Sequence, residues 1–91
     1  MIKGKTEDGF EFELAENIRE DYEVVEALVR YFRKMSYENF VTFKELMFRG
    51  AEECEKRARD FLRERDGFVS TKAMIKLVFD IWNVSADTKK S

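Results

Sequence analysis

The segment Asp8-Gly9-Phe10-Glu11-Phe12-Glu13-Leu14 constrains the start of this chain more tightly than any other feature. Asp-Gly favours a tight hairpin turn. Strict alternation then puts Phe10, Phe12 and Leu14 on one face of a strand and Glu11 and Glu13 on the other. Ile2 to Thr6 is the natural partner, so residues 2–14 read as a β-hairpin. Two strands alone are marginal in water, so their apolar face must rest on later elements or on another subunit. In a chain of 91 residues those elements share one core, because half the length would bury too little surface to fold alone.

After the hairpin the apolar period changes from two to 3.6. Tyr22, Val25, Leu28, Val29 and Phe32 recur at steps of three and four, predicting a helix over about 18–34 with this stripe facing inward. Asn17 with Glu20, or Asp21 alone, caps it, and Glu26 and Arg30 stand at the favourable i, i+4 spacing. Met35 to Val41 reads as a connection. Thr42-Phe43-Lys44-Glu45 matches a capping box for a short helix over 43–49, ended by Gly50. Leu46, Met47 and Phe48 cannot all face one side of it. A third helix spans 51–65, with Ala51, Cys54, Ala58, Phe61 and Leu62 inward, and stops at Asp66-Gly67. Ser70 caps a fourth over 71–83, carrying Met74, Leu77, Val78, Ile81 and Trp82. The fold class is therefore α+β, mostly α: an N-terminal hairpin and about four helices in one domain over 1–84, with a flexible polar tail at 85–91.

Composition excludes more functions than it suggests. There is no histidine and one cysteine. The chain thus lacks the commonest general base, the usual nucleophile–histidine pairs and the Cys/His set of a structural zinc site. Its four glycines are isolated, so no phosphate-cradling loop forms. Asp66-Gly67 resembles the middle of a calcium loop, but Leu62 and Ala73 occupy the first and twelfth ligand positions. No enzymatic activity, metal or cofactor is expected. A lone cysteine fits a reducing compartment, and neither a signal-peptide core nor a membrane-length apolar run is found.

Charged residues make up 40% of the chain for a net charge of −2, which gives no general attraction to nucleic acid or membrane. The distribution is uneven: residues 1–26 hold nine acids against three bases, and 27–91 hold fourteen bases against ten acids. Such polarity suits self-association or docking on a mixed-charge partner. Lys56, Arg57, Arg59, Arg63 and Arg65 invite a nucleic-acid reading, but Glu52, Glu53, Glu55, Asp60 and Glu64 share their helix. Aromatic and branched residues off the main stripes (Tyr31, Tyr37, Phe40, Val41, Phe43, Phe48, Phe68) admit two readings. They close the ends of a small core, or they form an apolar patch for a partner.

In this order the elements resemble the small tail assembly chaperones of long-tailed, non-contractile phages. The likeness runs from Phe10-Glu11-Phe12-Glu13-Leu14 through the acidic helix start Asp21-Tyr22-Glu23-Val24-Val25-Glu26-Ala27-Leu28 and Leu46-Met47-Phe48-Arg49-Gly50. It continues over Leu62-Arg63-Glu64-Arg65-Asp66-Gly67 to Val69-Ser70-Thr71-Lys72-Ala73-Met74. The resemblance implies a protein that keeps the tape measure protein soluble in the host cytoplasm, helps tail tube protein assemble around it, and is absent from the mature virion. The basic balance after residue 27 departs from the acidic chain such a family implies. Adaptable apolar side chains suit this task, and Phe40, Phe43, Met47 and Phe48 are the expected client-facing residues. Homo-oligomerisation is expected, with the hairpin edges as candidate contacts. The competing readings are another virion-assembly part, such as a head-to-tail connector, and a small nucleic-acid-binding regulator.

Overall fold

The computed structural model describes residues 1–87. The expected hairpin forms: β1 (Ile2–Lys5) pairs antiparallel with β2 (Glu11–Leu14). Ile2 lies opposite Leu14 and Gly4 opposite Phe12, and this face turns into the core. Lys3 opposite Glu13 and Lys5 opposite Glu11 set opposite charges across the strands on the other face, a favourable cross-strand arrangement. Thr6 closes the turn. Its N–H donates to the Phe10 carbonyl, its carbonyl accepts from Gly9 and its hydroxyl accepts from the Phe10 N–H at 3.1 Å.

Four helices follow, α1 (Tyr22–Arg33), α2 (Tyr37–Met47), α3 (Glu52–Asp66) and α4 (Thr71–Asp87). α1 begins later than expected because Asp21 is the cap that acts, its carboxylate accepting from the Glu23 N–H at 2.9 Å. The preceding residues turn instead, Ile18 onto the Ala15 carbonyl and Glu20 onto that of Asn17, and Ile18 is buried. α2 corrects the expectation of a connection over 35–41. Ser36 is its cap, accepting from the Asn39 N–H at 3.1 Å, and the Asn39 amide donates to the Lys34 carbonyl at the end of α1. One short polar step thus ends one helix and starts the next. Thr42, expected in a capping box, lies inside α2 and donates to the Glu38 carbonyl.

α4 starts where the sequence places it, at Thr71, and α3 one residue later than expected, at Glu52. Gly67, at φ 84, takes the left-handed conformation that lets its N–H close α3 onto the Arg63 carbonyl at 2.8 Å. The Ser70 hydroxyl accepts from the Ala73 N–H. α4 runs beyond Asn83, correcting the expected tail at its near end. Ser85 is 2% exposed, and its hydroxyl donates to the Trp82 carbonyl. Arg19 donates to that carbonyl and to the Ser85 hydroxyl, with its guanidinium 4.2 Å above the Trp82 ring. Residues 88–91 of the expected tail lie outside the described residues.

α4 packs on β1, α3 on β2 and α4, and α1 on α2. The α1–α2 pair joins the rest through a series of rings centred on Phe79. Phe43 of α2 stacks on Phe79 at 5.4 Å and 13°, and meets Trp82 edge-on. Tyr31 and Phe32 of α1 lie 5.4 and 5.9 Å from Phe79. Because Val24, Ala27 and Tyr31 are the buried residues of α1, the stripe expected to face inward faces out. Tyr22, Val25, Val29 and Phe32 are exposed, and only Leu28 is partly buried. Small Ala27 on the inward row suits the α1–α2 contact, and Tyr31 reaches both Phe40 and Phe79. A double-mutant cycle of Phe43→Leu and Phe79→Leu in urea denaturation should return a coupling of about 1 kcal/mol. A coupling near zero would detach these rings from the docking of α2 on α4.

Candidate protein-binding surfaces

The four residues expected to face a client do not form a surface. Phe40, Phe43, Met47 and Phe48 are 4%, 0%, 0% and 1% exposed. Once α2 is a helix from Tyr37, the first three fall at i, i+3 and i+7 on one inward face, and Phe48 caps its end. Leu46 is the member of the Leu46-Met47-Phe48 run left part-exposed at the edge of the core. In this fold these residues hold the helices together.

Apart from Met1 and Met35, the large apolar side chains exposed among the described residues lie in two other places. One is the outward row of α1, where Tyr22 is 75% and Phe32 57% exposed, with Val25 and Val29 between them. Tyr22, Val25, Glu26, Val29, Arg30 and Arg33 line a shallow groove of about 300 Å³ along the helix. The Glu26–Arg30 pairing expected within α1 is absent. Among the described residues, Glu26, Arg30 and Arg33 form no ion pair within the chain, whereas Glu23 reaches Arg49 at 3.1 Å.

The second is an open groove of about 290 Å³ between α2, α3 and the start of α4. Tyr37 and Val41, both exposed, form its α2 wall, and Val69 and Met74 close the α4 end. Arg59 and Arg63 form its rim on α3. Phe68, 64% exposed, adjoins Val69 on the α3–α4 turn. Tyr37, Val41 and Phe68 are three of the off-stripe residues for which the sequence left both readings open. Tyr31, Phe40, Phe43 and Phe48 belong to the core.

A buried charge shapes this second groove. The Lys44 side chain, 9% exposed, places its Nζ 2.7 Å from Glu55 Oε2, and Arg59 reaches the same oxygen at 2.6 Å. Burial alone raises the Glu55 pKa, but hydrogen bonds and attraction from Lys44 and Arg59 outweigh it and hold the carboxyl below its ordinary value. The other α3 arginines are also engaged: Arg57 with Glu13 and the Glu11 carbonyl, Arg63 with Asp60, and Arg65 with Asp66 and Asp8. The basic row that suggested nucleic acid is thus largely neutralised by neighbouring acids, and Arg57 occupies part of the hairpin's outer backbone.

Cys54 is a free, buried thiol on α3. Burial pushes it above its ordinary pKa, offset only in part by the backbone hydrogen bond at Glu13 and by Arg57, so it has little thiolate to react. Among the described residues no three metal-binding side chains cluster, and no helix is long and apolar enough to cross a membrane. Compared with protein-family models, curated proteins and solved structures, the chain matches none.

Two measurements check this geometry. Glu55→Gln strands the buried Lys44 ammonium and should cost about 2–3 kcal/mol near neutral pH. A carboxyl whose folded pKa is depressed stabilises above its unfolded value, roughly 4.3, and loses that contribution as pH falls through the lower folded value. The gap between wild type and Glu55→Gln in urea melts should therefore hold from neutral pH to about pH 5 and close below roughly pH 4. A gap that widens on acidification contradicts the assignment. Cys54 should react with a thiol reagent at the rate of global unfolding, and rapid labelling of the native protein would place it at the surface instead.

Proposed function

We propose that this chain is a non-enzymatic binding protein that covers an apolar helical segment of a client in the groove between α2, α3 and α4. The observation carrying this reading is the groove itself: apolar Tyr37, Val41, Val69 and Met74 beside a rim of Arg59 and Arg63. Apolar grooves of this form take amphipathic helices through residues spaced along one helix face. Arg59 and Arg63 are already paired with Glu55 and Asp60, so the rim is polar but nearly neutral and the apolar wall carries the recognition. The groove is at the low end of the size range for small-molecule sites and open along its length, which suits a few side chains of a longer partner.

The resemblance to tail assembly chaperones gives the client a concrete identity. It makes the client the tape measure protein, and the role that of keeping it soluble while tail tube protein assembles, with the chaperone leaving before the particle is complete. Support comes from the apolar groove and from the hairpin-then-helices order on which the resemblance rests. Co-expression with the tape measure protein of the same genome should keep that protein in the soluble fraction. Val41→Asp, at an exposed groove position, should abolish the protection while leaving the circular dichroism melt within about 0.5 kcal/mol of wild type. Equal precipitation of the tape measure with and without this chain refutes the reading. So does recovery of this chain from purified virions, which is the outcome expected of a connector.

A further inference from the structure

We infer that two copies of this chain pair antiparallel through the outward face of α1, about a two-fold axis at the level of Ala27. The face is a palindrome in side-chain type. Tyr22, Val25, Val29 and Phe32 read aromatic, valine, valine, aromatic from either end, at steps of three, four and three. Antiparallel pairing sets Tyr22 against the partner's Phe32 and Val25 against the partner's Val29, each contact made twice, as an isologous interface requires. Steps of three and four are those of a helix seam that packs knobs into holes at a shallow crossing angle.

Charge fixes the direction. The N-terminal half of α1 and its cap carry Asp21, Glu23 and Glu26, and the C-terminal end carries Arg30, Arg33 and Lys34. Glu26, Arg30 and Arg33 border the same groove as Tyr22, Val25 and Val29, so they lie along one flank of the apolar row. A two-fold axis perpendicular to the helices brings that flank against its own copy with the direction reversed. Glu26 then lies about 3 Å along the axis from Arg30 of the other copy and within about 8 Å of its Arg33. These two bases outweigh the other copy's Glu26, which is also about 3 Å away along the axis. Parallel pairing would set acid on acid and base on base, which disfavours it. The three residues are available for this, having no ion pair within the chain among the described residues.

The seam is short. α1 has twelve residues and is about 18 Å long, so it covers less than the roughly 1,600 Å² of a standard stable interface. A reversible dimer in the micromolar range follows, rather than a permanent one. The interface leaves the α2–α3–α4 groove free, and the inference does not depend on what occupies that groove.

Sedimentation equilibrium of the full chain, from micromolar to sub-millimolar concentration, tests this. Wild type should pass from monomer to dimer, and added salt should weaken the dimer. Val29→Asp should raise the dissociation constant at least about tenfold without altering the circular dichroism spectrum. Glu26→Arg should weaken the dimer, and Glu26→Arg with Arg30→Glu should restore it, because the swap regenerates opposite charges across the two-fold axis. The charge pair provides an independent reading should Val29→Asp fail to fold. A wild type monomeric throughout, or a dimer indifferent to Val29→Asp, overturns the inference. A swap that fails to restore what Glu26→Arg removes overturns the antiparallel arrangement.

Discussion

The contact between Phe43 and Phe79 is the joint on which the arrangement of this molecule turns. α1 and α2 form one antiparallel pair held by their own caps and facing side chains, while the hairpin, α3 and α4 form the other half of the core. The stacked rings at 5.4 Å connect the two halves, and Tyr31, Phe32, Phe40 and Trp82 extend the contact on either side. Offset aromatic pairs add roughly 0.5–1.5 kcal/mol beyond the area they bury. The series takes up four of the nine phenylalanines, Phe32, Phe40, Phe43 and Phe79. Arg19 closes the far end of the series over Trp82 and ties the segment before α1 to the last turns of α4. The hairpin gains the helical cover that two strands need from α4 on β1 and α3 on β2.

How much of this was legible from the residues depended on how local the deciding physics is. The hairpin, the Gly67 stop, the Ser70 cap and the stripes of α3 and α4 each follow from neighbours within a few positions, and each is found where the pattern puts it. α2 was misplaced because two cap signals compete, Ser36 with Asn39 and Thr42 with Glu45. The choice between them depends on whether Phe40 has a core to enter. The end of α4 was misplaced for a similar reason. Nothing near Ser85 in the sequence points to Arg19, sixty-six positions earlier. Phe79 lies beside the predicted stripe of α4, and only the arrival of Phe43 and Tyr31 makes it a hub.

The surfaces were less legible than the fold, and α1 shows why. Both Val24-Ala27-Tyr31 and Tyr22-Val25-Val29-Phe32 have helical spacing, so periodicity identifies two apolar rows without ranking them. Size and hydrophobicity favour the second row. Packing selects the first, because Ala27 suits the α1–α2 contact and Tyr31 reaches the ring series. The larger row is consequently displaced to the surface, where Phe32 touches Phe79 on one side and solvent on the other. The same exchange moves Phe40, Phe43, Met47 and Phe48 inward. The surplus of aromatic and branched residues off the main stripes divides accordingly, with Tyr31, Phe40, Phe43 and Phe48 in the core and Tyr37, Val41 and Phe68 at the surface. It did not signal which residues remain outside.

Charge distinguishes the exposed faces in a way that hydrophobicity does not. On α3 all four arginines are answered within the chain, by Glu13, Glu55, Asp60, Asp66 or Asp8. Exposed pairs of that kind contribute little to stability, but they leave the helix electrostatically quiet and poorly suited to phosphate. α1 is different. It sorts acids to its start and bases to its end, which complements its own dipole. Along one flank of its apolar row Glu26, Arg30 and Arg33 have no ion-pair partner within the chain among the described residues. A helix so polarised is complementary to itself only when reversed, and the palindromic order of its apolar row is satisfied by the same reversal. Two independent properties of α1, one of shape and one of charge, therefore point to one geometry.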